Sequence, residues 1–218
     1  MRFRLYLSLL LLSNLAKGQT QQQNDSLVNV ICTTINLSST PTDSLNISSA
    51  LEKHLFPYLQ SLPDSQKNII LENIAFRLQR NCVAFLEFSK TLSPQNGDWQ
   101  NLSERPKTKL NKESCDIFFN YKSYKYLEAN GDTVRLEINN GYWIDHFLDG
   151  TYSKLKLKRS SDCEFEIEFI ESNNLIRRNF SKKGDKYHYQ ILEKNNNKYL
   201  MTVEISGVGK ISSFVIYL

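Results

Sequence analysis

Two short runs constrain what this chain can fold into more than anything else in it. Lys154-Leu155-Lys156-Leu157-Lys158 alternates basic with apolar residues, and Glu164-Phe165-Glu166-Ile167-Glu168-Phe169 alternates acidic with apolar ones. A period of two is the mark of a strand with one buried face. Folding the chain back with Ser161 at the tip sets Lys158 opposite Glu164, Lys156 opposite Glu166 and Lys154 opposite Glu168. On the other face Leu157 meets Phe165 and Leu155 meets Ile167. One register thus places opposite charges outside and apolar pairs inside. Each exposed ion pair contributes only about 0.2–1 kcal/mol, so the charges serve mainly to block slippage. Cys163 falls on the buried face with Phe165.

The same period runs through the rest of 115–218. Strands are expected at 187–192 and 199–205 around an Asn195-Asn196-Asn197 turn, and at 211–217 after Gly207 and Gly209. Earlier strands fit 117–120, 124–128 and 134–138, with Asn130-Gly131-Asp132 turning between the last two. Seven to nine short strands in succession predict an antiparallel meander, either a curled sheet or a lipocalin-like barrel.

Residues 19–91 read differently. A polar Gln-rich start precedes a helix capped by Asp25 or Ser26, and Ser-Ser-Thr-Pro-Thr at 38–42 breaks it. Ser49 and Glu52 have capping-box spacing for a second helix, which Pro57 should end or bend. Ile70, Ile74, Leu78, Cys82 and Phe85 then recur every three to four residues, the core stripe of one long amphipathic helix after Pro63-Asp64. Residues 92–114 are polar, contain Pro94, Gly97 and Pro106, and read as a linker. The expected fold class is therefore α+β, with a helical region followed by an antiparallel β-domain over 115–218.

The first eighteen residues supply the compartment. Arg2 and Arg4 precede an apolar stretch from Leu5 to Leu12 that is too short to span a bilayer, and Ala16-Lys17-Gly18 offers small residues for cleavage near Gly18/Gln19. This predicts a signal peptide over 1–18, a periplasmic or secreted protein, and no transmembrane segment after cleavage. Losing Arg2, Arg4 and Lys17 takes the 27 basic residues to 24, against 23 acidic ones. A mature charge of about +1 removes the general argument for nucleic-acid binding. Five N-x-S sequons, at Asn24, Asn36, Asn46, Asn101 and Asn179, are glycan acceptors in a eukaryotic secretory pathway and a by-product of Asn and Ser abundance in a bacterium.

Four cysteines in an exported chain favour pairing. Three connectivities are possible. With two cysteines on each side of the linker, Cys32–Cys82 and Cys115–Cys163 is the simplest, each closing a loop of roughly 50 residues. The spacings fit neither a zinc ribbon nor a CxxC redox motif, so no metal or cofactor is expected.

Candidate chemistry is sparse. Asp145, His146 and Asp149 form the best catalytic cluster, since a carboxylate can orient a histidine, although Asp149-Gly150 also reads as a plain turn. His54 and His188 read as structural. No G-x-S-x-G elbow, H-E-x-x-H helix, P-loop or G-x-G-x-x-G occurs. Arg177-Arg178 and Lys182-Lys183-Gly184-Asp185-Lys186 make a basic patch that reads as a solvated loop. Tyr187, Tyr189 and Tyr199 are candidate walls of a ligand cavity if the sheet closes, and otherwise core aromatics.

Cys115-Asp-Ile-Phe-Phe, Ser161-Asp162-Cys163-Glu164-Phe165-Glu166-Ile167 with Phe169 and Ile170, and Lys183-Gly184-Asp185-Lys186-Tyr187 resemble segments of small exported bacterial proteins of the Bacteroidetes type, most of them uncharacterised. The leader ending in Gly-Gln is similar as well. The resemblance covers about half the chain. It implies an exported β-meander with paired cysteines and brings no activity or site residues. The function expected from all this is non-catalytic binding of a small ligand or a partner protein. The alternatives are a hydrolase-like enzyme using Asp145, His146 and Asp149, and an envelope structural or immunity-type interaction module. A ligand barrel requires an interior cavity of roughly 300 Å³ or more; a filled barrel favours the partner reading.

Overall fold

The structure is a computed structural model that describes residues 23–92 and 97–218. The expected signal peptide and the polar segment up to residue 22 lie outside the described residues. The chain divides between Phe88 and Ser89 into two compact units.

The first unit is helical. α1 spans 23–36, and α2 (Ser44–Gln60), α3 (Asp64–Asn81) and α4 (Val83–Leu92) follow. The α2 start differs from the Ser49/Glu52 reading: Asp43 is the N-cap, accepting from the Leu45 amide at 2.8 Å. Pro57 does not end the helix, which continues to Gln60. The expected long third helix breaks at Cys82, whose backbone is extended (φ −120°, ψ 104°), and resumes as α4. Val28, Ile31, Ile35, Ile47, Leu55, Ile74 and Leu78 are buried together with Cys82, which is bonded to Cys32. His54 accepts or donates across 2.9 Å to Thr34 Oγ1, a structural tie between α1 and α2.

The second unit is a closed antiparallel barrel. Its strands are β1 (Gln100–Leu102), β2 (Ser123–Leu127), β3 (Thr133–Asn139), β4 (Tyr142–His146), β5 (Tyr152–Arg159), β6 (Glu164–Ser172), β7 (Lys186–Asn195), β8 (Lys198–Ile205) and β9 (Ile211–Tyr217). From β2 to β9 each strand pairs with the next, and β9 returns to β2 through Lys125↔Tyr217 and Tyr126↔Ile216. Eight strands thus close, and β1 adds to β9 beside β2. β1 arises within the stretch read as a linker.

α5 (Lys112–Asn120) corrects the sequence reading, which placed a strand at 117–120. Asn111 caps it, accepting from the Ser114 amide at 3.0 Å, and Lys112 reaches Asp116 one turn on at 2.7 Å. Cys115 and Phe118, three apart and so on one helical face, are both fully buried. The helix closes one end of the barrel. Phe118 stacks on Tyr124 at 4.8 Å and meets Tyr199 edge-on at 5.1 Å, and Cys115 is bonded to Cys163.

The β5–β6 hairpin has the expected strands and faces, but its register is two residues away from the expected one. Lys158 lies opposite Glu166, Lys156 opposite Glu168 and Leu157 opposite Ile167. An even slip leaves every side chain on its own face, so alternation cannot separate the two registers. The turn decides. The Ser160 and Ser161 amides both donate to the Glu164 carbonyl, at 3.0 and 3.2 Å, so the reversal uses 160–163 and Arg159 joins the ladder opposite Phe165. At Asn139↔Tyr142 the reversal is a two-residue turn in which Asn140 (φ 51°) and Gly141 (φ 77°) are both left-handed. A Cβ on Gly141 meets nothing within 4 Å, so Gly141→Ala should cost only backbone strain, about 1–2 kcal/mol, read as a lower denaturation midpoint with an unchanged slope.

Candidate functional site at the barrel mouth

The connections alternate between the two ends of the barrel. α5 and the turns at 140–141, 160–163 and 196–197 occupy one end. The loops at 128–132, 147–151 and 206–210, together with α6 (Leu175–Phe180) between β6 and β7, occupy the other. Strand pairing fixes which side chains point inward: the cross-strand rows put Tyr124, Tyr126, Leu136, Trp143, Asp145, Phe165, Tyr187, Tyr189, Tyr199, Val203, Ser212 and Phe214 on one face.

The inward face is unevenly filled. Toward α5, Phe118, Tyr124, Phe165 and Tyr199 are at most 1% exposed. Toward α6, Tyr189, Val203 and Ser212 point inward yet remain only partly buried. Tyr189 is ringed by Phe165 and Trp143 at 5.2 Å and Phe214 at 5.9 Å. Burial, with Asp145 nearby, holds its hydroxyl pKa well above the usual phenol value.

A polar cluster sits beside it. Asp145 is 7% exposed; its Oδ1 accepts from Trp143 Nε1 at 2.9 Å, and Tyr126 lies on the same inward face. Burial raises its pKa to about 7, against the opposing pull of Arg177. Arg177, from α6, pairs with Glu128 from the β2–β3 loop and lies 5.3 Å over the Phe147 ring. Burial disfavours its charge, but Glu128, Tyr126 and Asp145 hold its pKa above the usual value. The Ser181 and Tyr187 hydroxyls bond to each other at the same end.

No family model matches this chain, and no curated protein does. Function has to be read from the site.

The sequence-selected residues separate in space. Asp145 points into the barrel and His146, the next residue in β4, points out, with its Nε2 3.5 Å from Glu137. Asp149 sits in the following turn, its Oδ1 accepting from the Thr151 amide and hydroxyl at 2.9 and 2.5 Å. Tyr187 and Tyr189 lie toward the α6 mouth, while Tyr199 belongs to the filled end. His188 faces outward, 3.6 Å from Glu166. Glu128, Tyr126 and Trp143 were not singled out from sequence, and Arg177 was read only as part of a solvated basic patch. The usable signal was Trp143-x-Asp145, which alternation places on one face of β4. Among the described residues no group of three or more His, Cys, Asp or Glu could hold a metal, and no helix is long and apolar enough to cross a membrane.

Proposed function

We propose that this is an exported, non-catalytic binding protein whose barrel receives a small, mainly apolar molecule at the α6 end. The observation that carries the reading is Tyr189: it points inward among Trp143, Phe165 and Phe214 and still keeps accessible surface. Aromatic walls with a few convergent polar groups are the usual make-up of a ligand site, and Asp145, Tyr126 and Tyr187 supply those groups here. On this reading the molecule sits at the mouth, above the rings that fill the α5 half. Two disulfides in the chain favour an oxidising compartment, which supports the export reading. A hydrolase built on Asp145, His146 and Asp149 would need three groups to converge that instead point inward, outward and into a turn.

Filling the pocket tests this. The neutral fluorophore N-phenyl-1-naphthylamine should bind the full chain saturably, at one site. Val203→Phe, which adds a ring on the inward face of β8, should weaken binding at least tenfold while leaving the melting temperature unchanged or higher. Absence of saturable binding, or equal binding by the variant, would overturn the proposal.

A further inference from the structure

We infer a second site, independent of the mouth pocket, on the outer wall of the barrel: a groove that binds a small organic anion with an apolar body. The groove has a volume of about 480 Å³ and is lined by Lys125, Thr133, Arg135, His146, Phe147, Leu148, Gly150 and Thr151. That volume lies within the range of small-molecule sites, roughly 300–1,000 Å³. Lys125 is directly opposite Arg135, and Arg135 directly opposite His146, so three neighbouring strands carry one row of basic side chains. No described carboxylate lies within ion-pair distance of Lys125 or Arg135, and the nearby Glu137 contacts His146 instead. Like charges placed opposite each other across strands are destabilising; a bound anion relieves that repulsion. None of the lining side chains is a carboxylate, and two, Thr133 and Thr151, carry hydroxyls. Phe147 and the largely exposed Leu148 supply an apolar wall at one end. Two adjacent cations, Lys125 and Arg135, with hydroxyl donors and an apolar wall together match an aryl or acyl phosphate or carboxylate better than a bare ion.

Phenyl phosphate is a suitable probe, followed by amide chemical shifts of the full chain, with inorganic phosphate and phenol as partial analogues. The expected result is saturable shifts at Lys125, Arg135, His146 and Leu148, at least tenfold weaker with inorganic phosphate and absent there with phenol. The double variant Lys125→Gln/Arg135→Gln alters only exposed side chains and should weaken phenyl phosphate binding at least tenfold with an unchanged spectrum elsewhere. Sedimentation with phosphatidylglycerol vesicles separates the sources of such an anion. Co-sedimentation lost in the double variant supports the groove, with a lipid headgroup as the anion. Co-sedimentation retained in the variant overturns it, as do shifts scattered over other lysines or equal responses to phenol and phenyl phosphate.

Discussion

Asp145→Asn should make the barrel more stable above neutral pH and flatten its dependence on pH. The carboxyl titrates at 3.8 when ordinarily solvated and at about 7 in the folded barrel. Between those values the folded state holds a proton that the unfolded state has released, so stability falls as pH rises, by about 1.4 kcal/mol per pH unit. The stability associated with the neutral acid is fully present below pH 3.8 and lost once the pH has passed about 7. Asn keeps an acceptor for Trp143 Nε1 and has no charge to bury. The difference between wild type and variant should therefore be small at pH 4 and approach about 4 kcal/mol at pH 8. Both tryptophans of the chain, Trp99 and Trp143, lie in the barrel unit, so denaturation followed by their fluorescence reads this unit. Parallel pH profiles of the two proteins would show that Asp145 does not carry the raised pKa.

The second large effect concerns the closed end. Cys115 and Cys163 are bonded with their Cα atoms 5.3 Å apart and lie 48 positions apart along the chain. In the chain-entropy account a loop of that length contributes about 4 kcal/mol. The loss should not stop there, because this bond pins α5, and α5 carries Phe118 into the ring cluster with Tyr124, Phe165 and Tyr199. Cys115→Ala/Cys163→Ala is expected to destabilise the barrel by about 4 kcal/mol or more, and to raise amide exchange first in α5 and the 160–163 turn. A loss below about 1 kcal/mol would mean that the helix holds its place by packing alone.

These two features differ in how far the sequence disclosed them. The disulfides followed from counting cysteines on either side of one polar stretch, and the antiparallel meander from its period-two runs, whereas its closure into a barrel rests on the β2–β9 pairing that alternation does not specify. α5 was missed because Cys115-Asp-Ile-Phe-Phe is an apolar run too short for its period to distinguish helix from strand; the Asn111 cap decides it. The β5–β6 register was missed because an even slip preserves both faces. The mouth cluster was hidden for another reason. Arg177 and Glu128 are 49 residues apart and meet only once the barrel closes, so Arg177 read as part of a solvated basic loop. Asp145 was noticed beside His146, a sequence neighbour that β geometry sends to the opposite face.

The short β1 has a practical consequence. β9 pairs with β2 only at Ile216 and Tyr217, while β1 covers Ile211 to Ser213. Trp99, just before β1, stacks on Phe214 at 4.7 Å and donates from Nε1 to the Leu127 carbonyl at 2.6 Å. A truncated protein beginning at α5 would keep all eight barrel strands, with β9 still paired to β8, and would leave half of its other edge uncovered. Its unsatisfied amides and carbonyls would form a sticky seam open to another molecule's strand. Such a fragment should oligomerise where one beginning before Asp98 stays monomeric, which sets the working boundary of an excised barrel well upstream of its first barrel strand.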